Sequence, residues 1–294
     1  MAVFILLVRG NILVSMNDAM SIVLVGHVCI DHNVSEKSSY TRWGSGLMYM
    51  AHYAQAHLQT KPVLLAPYGS DFAPYSQDVT LLSEEQSTPT LIYENHTNNR
   101  IRTQRCEHAN FANPVKLNSA IKASLSSADI LVVAPLLPNF SASYVIELLA
   151  HKKAGGLSVL LPQGYFRSIT SDGLVLPRKF EEAADIIPLF DMVIFSEEDT
   201  STAIELAKQW SKQSRGVIIV TQGLLGASGI AQGSVESVST QTIPVNQIVD
   251  SVGAGDIFSI AAMHDYYQNK DLRKAMIAGN SAARARLLQG IEVN

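Results

Sequence analysis

Two carboxylates and two glycines are packed into DSVGAGDIF, residues 250–258, where a β-rich run gives way to an apolar run beginning at Ile257. If residues 257–263 are helical, Gly253 and Gly255 sit at the first turn, where backbone N–H groups have no intrahelical partner. Such groups, at the positive end of the helix dipole, form a site for an anion such as phosphate. Glycine lets that anion approach the main chain closely. A carboxylate at Asp256 would repel the anion unless it takes a proton or holds a metal. The simpler reading is a helix cap at Asp250 or Ser251, worth about 1 kcal/mol. One residue is enough for a cap, and this stretch carries more than that.

The elements that would position these groups can be read from the hydrophobic pattern. Runs at 21–26 (SIVLVG), 62–67, 129–135, 157–162, 191–195 and 216–221 are short, rich in Val, Ile and Leu, and bounded by turn residues. Uninterrupted apolar runs of this length fit strands buried on both faces. Between them, 47–58, 141–150, 200–212 and 271–288 carry helical periodicity. Alternation of the two implies a parallel sheet covered on both sides, with ligands at the strand ends. Two segments break the pattern: 32–43 is polar, and 88–108 alternates and turns at Asn98 and Asn99 like a hairpin. The expected fold is therefore an α/β sandwich with a minor β lid built from these two segments.

Composition narrows the partners. The 294 residues are 47% hydrophobic and 16% charged, with a formal charge of −4 and no block of like charge. This argues for a small-molecule partner, with no nucleic acid and no membrane. Cys29 and Cys106 are too few for a disulfide framework or a zinc site and are read as reduced packing residues. The apolar run at 3–8 lacks the basic flank and cleavage site of a signal peptide. Residues 1–20 are read as an extension, 21–294 as the functional domain, and the cytoplasm as its location. The Asn-x-Ser/Thr triplets at Asn33, Asn95 and Asn139 then carry no meaning. His27, His32, His52 and His57 lie five apart and do not share a helical face as i, i+4 pairs would. No G-x-x-x-x-G-K-[ST], H-E-x-x-H or G-x-S-x-G motif is present, and GSGLMY lacks the third glycine of a dinucleotide loop.

On these residues the chain resembles the ribokinase-like (PfkB) carbohydrate kinases, whose second signature reads approximately DTxGAGDxF. Asp250, Ser251, Gly253, Ala254, Gly255, Asp256 and Phe258 match, with Ser251 in place of threonine. GHVCID with Gly26 and Asp31, WGSG at 43–46, GSD at 69–71 and VTQGLLG at 220–226 follow the family order, so the resemblance spans 21 to about 290. It implies a ribokinase-like three-layer sandwich and an ATP-dependent, Mg²⁺-requiring kinase acting on a hydroxyl of a small sugar, an inositol-like polyol or a nucleoside. Asp256 would be the catalytic base, with the amides of Gly253, Ala254 and Gly255 as the anion hole. Asp31, Gly44, Ser45, Tyr49, Asp71, Arg167 and Asp250 would surround the substrate. Thr221, Gly223, Gly226, Ser251 and Asn280 would hold the nucleotide, with 245–249 and 278–282 along the adenine. Asp31 and the GSD stretch also have a plain reading as strand-end turns.

Several positions depart from the family pattern. Ser45 replaces the second glycine of a pair, and Tyr49 takes the place of a substrate-touching asparagine, which argues against ribose itself. Ser196 and Asp199 take the positions of an Asn-x-x-Glu motif that organises magnesium and phosphates, and would act through water. PQGYFR at 162–167 resembles an element of the inositol-kinase branch and puts Arg167 near phosphate. In the lid, Arg100, Arg102, Gln104 and Arg105 face either substrate or solvent. The departures leave open a non-catalytic nucleotide- or sugar-binding sensor on the same fold, although such a binder gains nothing from Asp256. A lid sheet with an uncovered apolar face implies a homodimer.

Overall fold

In the first strand, Ile22 and Leu24 pack into one apolar cluster, while Val23 and Val25 pack into another. Successive side chains of a strand point to opposite faces, so an unbroken apolar run signals a sheet covered on both sides. The computed structural model describes residues 20–35, 39–98 and 101–289. Of the expected extension only Met20 is among them, and Asn99 and Arg100 of the expected hairpin turn lie outside them.

β1 (Ile22–Gly26) is followed by β2 (Cys29–Ser35), β3 (Ser39–Gly44), α1 (Gly46–His57), β4 (Val63–Leu65) and β5 (Thr80–Leu81). Next come β6 (Leu91–Asn98), β7 (Ile101–Glu107), α2 (Ser119–Ser127), β8 (Ile130–Ala134), α3 (Ala142–Ala150) and β9 (Leu157–Leu160). A ribbon of β10 (Arg167–Ile169) and β11 (Val175–Pro177) and the single turn α4 (Ala183–Ile186) lead to β12 (Met192–Ser196), α5 (Ala203–Ser211) and β13 (Val217–Thr221). The remaining elements are β14 (Ala227–Ala231), β15 (Ser234–Val238), α6 (Ala254–Asn269) and α7 (Leu272–Gln289).

The main sheet has the order β15-β14-β13-β12-β9-β8-β1-β4-β5, parallel except for β14 and β15. Helices α1, α6 and α7 cover one face, and α2, α3 and α5 the other. All six expected strand runs are present. α2 and the β14–β15 pair were not anticipated. In α2 only Ile121 and Leu125 are buried, an i, i+4 pair in a Ser-rich segment, and the helix starts on the Asn118 cap, whose side chain accepts from Ile121 N–H at 2.9 Å.

The lid is one four-stranded sheet, β3-β2-β6-β7, in which β2 and β6 are parallel and the other pairs antiparallel. The two segments that broke the sequence pattern thus join into one surface. Asp31 pairs with Arg42 on one side and Tyr93 on the other. Period-2 alternation brings Cys29, Asp31, Tyr93, Asn95 and Gln104 to its inner face. Among the described residues no helix is long and apolar enough to cross a membrane.

Candidate active site

A cleft of about 410 Å³ lies between the inner face of the lid and the carboxyl ends of β8, β12 and β13, where it meets Ala134, Ser196 and Thr221. Open α/β sheets place ligands outside the carboxyl ends of their parallel strands. The first turn of α6 projects into the same space, carrying Gly253, Ala254, Gly255 and Asp256.

Gly253 is the N-cap of α6, with φ of 78°, in the left-handed region that glycine enters freely. A Cβ there would also overlap the ring of Tyr49. Of the first-turn amides, that of Ala254 donates to the Ser251 carbonyl at 3.2 Å. This leaves the amides of Gly253, Gly255 and Asp256 to the cleft, with Asp256 in the place expected of Ala254. A Cβ on Gly255 would enter open space, so the site has room for an anion over these donors.

Burial pushes the Asp256 carboxyl up to about 7, against the partial relief of the Arg167 charge; the negative charges of Asp199 and Asp31 raise it further. A carboxylate poised near neutrality, with part of its surface on the cleft, can accept a proton during reaction. The first residue of α1 abuts it: a Cβ on Gly46 would collide with Asp256 Oδ1. Gly46→Ala is therefore expected to displace the carboxylate and lower turnover by about tenfold or more, while a melting curve shifts little. Wild-type turnover in this variant would show that the position of Asp256 is immaterial.

Asp31 occupies the opposite wall, buried, and accepts a bond from the Cys29 thiol at 3.3 Å. Gly44 lies beneath it, and any side chain there would overlap the carboxylate. Gly44 therefore shapes the site without lining it. Ser45 does line the cleft; it is buried, and its φ of 90° is one that non-glycine residues rarely hold. It thus keeps a glycine-like backbone at the position where the resemblance expects a glycine. Arg167 is the only basic side chain among the described residues that line the cleft, and its guanidinium lies 5.5 Å from the centroid of the Tyr93 ring. Gln104 donates to Asn95 Oδ1 at 2.8 Å, and both line the acceptor side with Gln163. Arg105 turns away to Asp172, at 3.0 Å.

On the other side, Thr221, Gly223, Gly226, Ser251 and Asn280 all line the cleft, as do Leu224, Ile248, Ala283 and Leu287. The apolar side chains among them, Leu224, Ile248, Ala283 and Leu287, give this half an apolar rim. Ser196 and Asp199 form a turn: the Asp199 carboxylate accepts from Ser196 N–H at 2.9 Å, and the Ser196 hydroxyl from Glu198 N–H at 3.1 Å. Burial raises the Asp199 carboxyl above its ordinary range. Among the described residues no three Asp, Glu, His or Cys side chains form a metal cage. The oxygen donors present, Asp199, Glu198 and Ser196, suit a magnesium ion that retains most of its waters.

Besides Gly44, two further expected substrate residues, Asp71 and Asp250, lie outside the cleft lining. Asp71 bonds to Thr90, accepting from its N–H at 3.1 Å and from its hydroxyl at 2.6 Å, which ties the GSD turn to the start of β6. Asp250 is paired with Arg286 at 2.6 Å and Arg42 at 3.7 Å, behind the glycine loop. Conversely, Tyr93, Asn95, Gln163 and Glu198 line the cleft without having been singled out. The alternation of β6 is a signal that could have found the first two. Tyr49 does line the cleft, but its hydroxyl accepts from Arg42 at 2.6 Å and its ring backs Gly253.

The model of the pfkB family of carbohydrate kinases matches residues 78–290. No curated protein matches the chain in sequence. Among solved structures, the chain is similar to a pyrophosphate-dependent kinase in the ribokinase family complexed with a pyrophosphate analog and myo-inositol. That pair is 17% identical with a TM-score of 0.72, over 90% of this chain and 94% of the other. Adenosine kinase from Anopheles gambiae is 18% identical with a TM-score of 0.72, over 92% and 96%. Arabidopsis thaliana ribokinase, complexed with ribose and ATP, is 16% identical with a TM-score of 0.69, over 93% and 94%. At these identities the likeness establishes a ribokinase-like fold. With the family match reaching across the glycine loop and Asp256, the chain belongs to the pfkB family of carbohydrate kinases, phosphotransferases that act on an alcohol group.

Proposed function

We propose that the protein transfers the terminal phosphoryl group of ATP to a hydroxyl of a small neutral sugar, inositol-like polyol or nucleoside. The observation that carries this reading is the placing of Asp256 beside the open amides of α6 and across the cleft from Asp31. The acceptor hydroxyl loses its proton to Asp256 as its oxygen bonds to phosphorus, and the bond from phosphorus to the bridging oxygen of the donor breaks. The amides of Gly253, Gly255 and Asp256 stabilise the charge on the moving group, the main task in phosphoryl transfer. Arg167 offsets the negative charges of the cleft. Asp199 and Glu198 would hold a hydrated magnesium ion, which neutralises the donor phosphates when bound.

The acceptor side offers carboxylate and amide groups, Asp31, Asn95, Gln104 and Gln163, that match hydroxyls. Four acidic side chains against one arginine around the cleft disfavour an acidic acceptor. The apolar rim supports ATP over pyrophosphate, because a purine base can cover it and pyrophosphate has nothing to bury there. Leu224→Glu is expected to raise the KM for ATP by about tenfold with little change in kcat, as a charge meets the base. Steady-state kinetics at varied ATP check this, and an unchanged KM would remove the rim from the donor site.

ADP release with MgATP across sugars, inositols and nucleosides, with pyrophosphate assayed in parallel, tests the whole reading. Turnover on an acceptor with ATP is expected, and turnover with pyrophosphate alone would replace the donor. ATP binding without turnover on any acceptor would favour the sensor. For assembly, exposed Val34 and Tyr40 on the lid support pairing with a second copy. Light scattering should give twice the chain mass, and a monomer at micromolar concentration would count against this.

A further inference from the structure

Asp250 opens the glycine loop, yet its carboxylate faces away from the cleft lining into a set of bonds that the transfer mechanism does not use. Val252 N–H donates to Asp250 Oδ1 at 2.9 Å, and Arg286 Nη2 donates to Oδ2 at 2.6 Å. The same Arg286 nitrogen donates to the Val252 carbonyl at 2.8 Å. The Arg286 side chain is only 4% exposed, so these are desolvated, charge-assisted bonds. From the lid, Arg42 stands 3.7 Å from the same Asp250 oxygen and donates to the Tyr49 hydroxyl at 2.6 Å. The ring of Tyr49 in turn backs Gly253. The loop that presents the open amides is therefore held by Arg286 on the α7 side and by Arg42 and Tyr49 on the lid side.

We infer that Arg286 is a positioning residue for the anion hole. The Val252 carbonyl is the acceptor that the Asp256 amide would take, four residues back, if α6 began one turn earlier. Arg286 occupies that carbonyl, and the left-handed Gly253 turns the chain away from helix. Together they leave the Asp256 amide directed to the cleft. Stability is a poor reason for such a group, since buried ion pairs often contribute no more than apolar residues of the same volume. Fixing one loop conformation is a task that suits it better. The inference rests on the kinase reading for the identity of the anion but not on the choice of donor or acceptor.

The test compares binding of ADP and of the non-hydrolysable ATP analogue AMP-PNP, in the presence of Mg²⁺, by calorimetry on the full chain. Pyrophosphate and phosphate are titrated in parallel. The wild type is expected to prefer AMP-PNP, because its terminal group reaches the anion hole. Arg286→Met should cut that preference by about tenfold or more, the scale of one charge-assisted bond, while ADP affinity stays within about twofold. Arg286→Lys keeps the charge, and a single ammonium can bond to both oxygens, so it should restore most of the preference. Methylguanidinium should do the same for Arg286→Ala. Equal weakening of ADP and AMP-PNP in Arg286→Met would make the role purely structural and overturn the inference, as would an unchanged preference. If Arg286→Met does not fold, Arg286→Lys carries the test: equal weakening of ADP and AMP-PNP in a chain that melts like the wild type also overturns it. Wild-type binding of pyrophosphate but not nucleotide would correct the donor alone, and the preference for pyrophosphate over phosphate then becomes the readout. Wild-type binding of none of these would remove the kinase reading and the inference with it.

Discussion

Asp256→Asn is expected to lower turnover by about 10²- to 10⁴-fold, the range for loss of a general base, while nucleotide affinity changes by less than about threefold. Asparagine has nearly the same shape, and the open amides and apolar rim that hold the donor belong to other groups. What the amide cannot do is take the proton of the attacking hydroxyl. The loss should therefore fall on kcat, with the KM for ATP little changed. Initial rates at saturating donor and acceptor, beside a binding isotherm for AMP-PNP, separate the two effects. Turnover within a few-fold of wild type would remove Asp256 from the proton transfer, and the amides alone would then have to account for catalysis.

The same substitution is expected to make the fold more stable, and only at the right pH. In the native protein burial moves the Asp256 carboxyl from its ordinary 3.8 to about 7. The unfolded chain therefore loses this proton first as pH rises, and native stability falls between about pH 4 and pH 7. Above pH 7 the full cost is present, on the order of 4 kcal/mol at about 1.4 kcal/mol for each unit. An asparagine side chain carries no ionisation cost, so the Asp256→Asn variant should melt several degrees above wild type at pH 8 and close to it at pH 4. A gain of equal size at both pH values would assign the effect to packing, not to the buried charge. The cost is the kind that functional sites impose on stability.

Much of this arrangement is legible in the sequence because it depends on local pattern. Runs such as SIVLVG and GVIIVT mark strands covered on both faces, and DSVGAGDIF announces a helix start with spare amides and a carboxylate. Where pairing is at long range, the sequence is silent. Arg42 and Arg286 meet on Asp250 from positions 208 residues before it and 36 after it, and each alone reads as a solvated charge. Asp71 and Asp250 sit in motif positions, but motif spacing does not say that Thr90 and Arg286 have already taken their oxygens. α2 was missed because two buried apolar residues leave too faint a period. The two lid segments were legible one by one, but the parallel pairing of β2 with β6 joins residues about sixty apart and leaves no local signal.

The most direct test of the central claim follows label from [γ-³²P]ATP into a hydroxyl acceptor chosen by the panel, with kcat/KM measured from pH 5 to 9. Labelled phosphoester product is expected, with an acid limb of midpoint near 7, the titration of half-buried Asp256 in the free enzyme. This limb should disappear in Asp256→Asn. No labelled product with any acceptor, or a rate that is already level at pH 5, would contradict it.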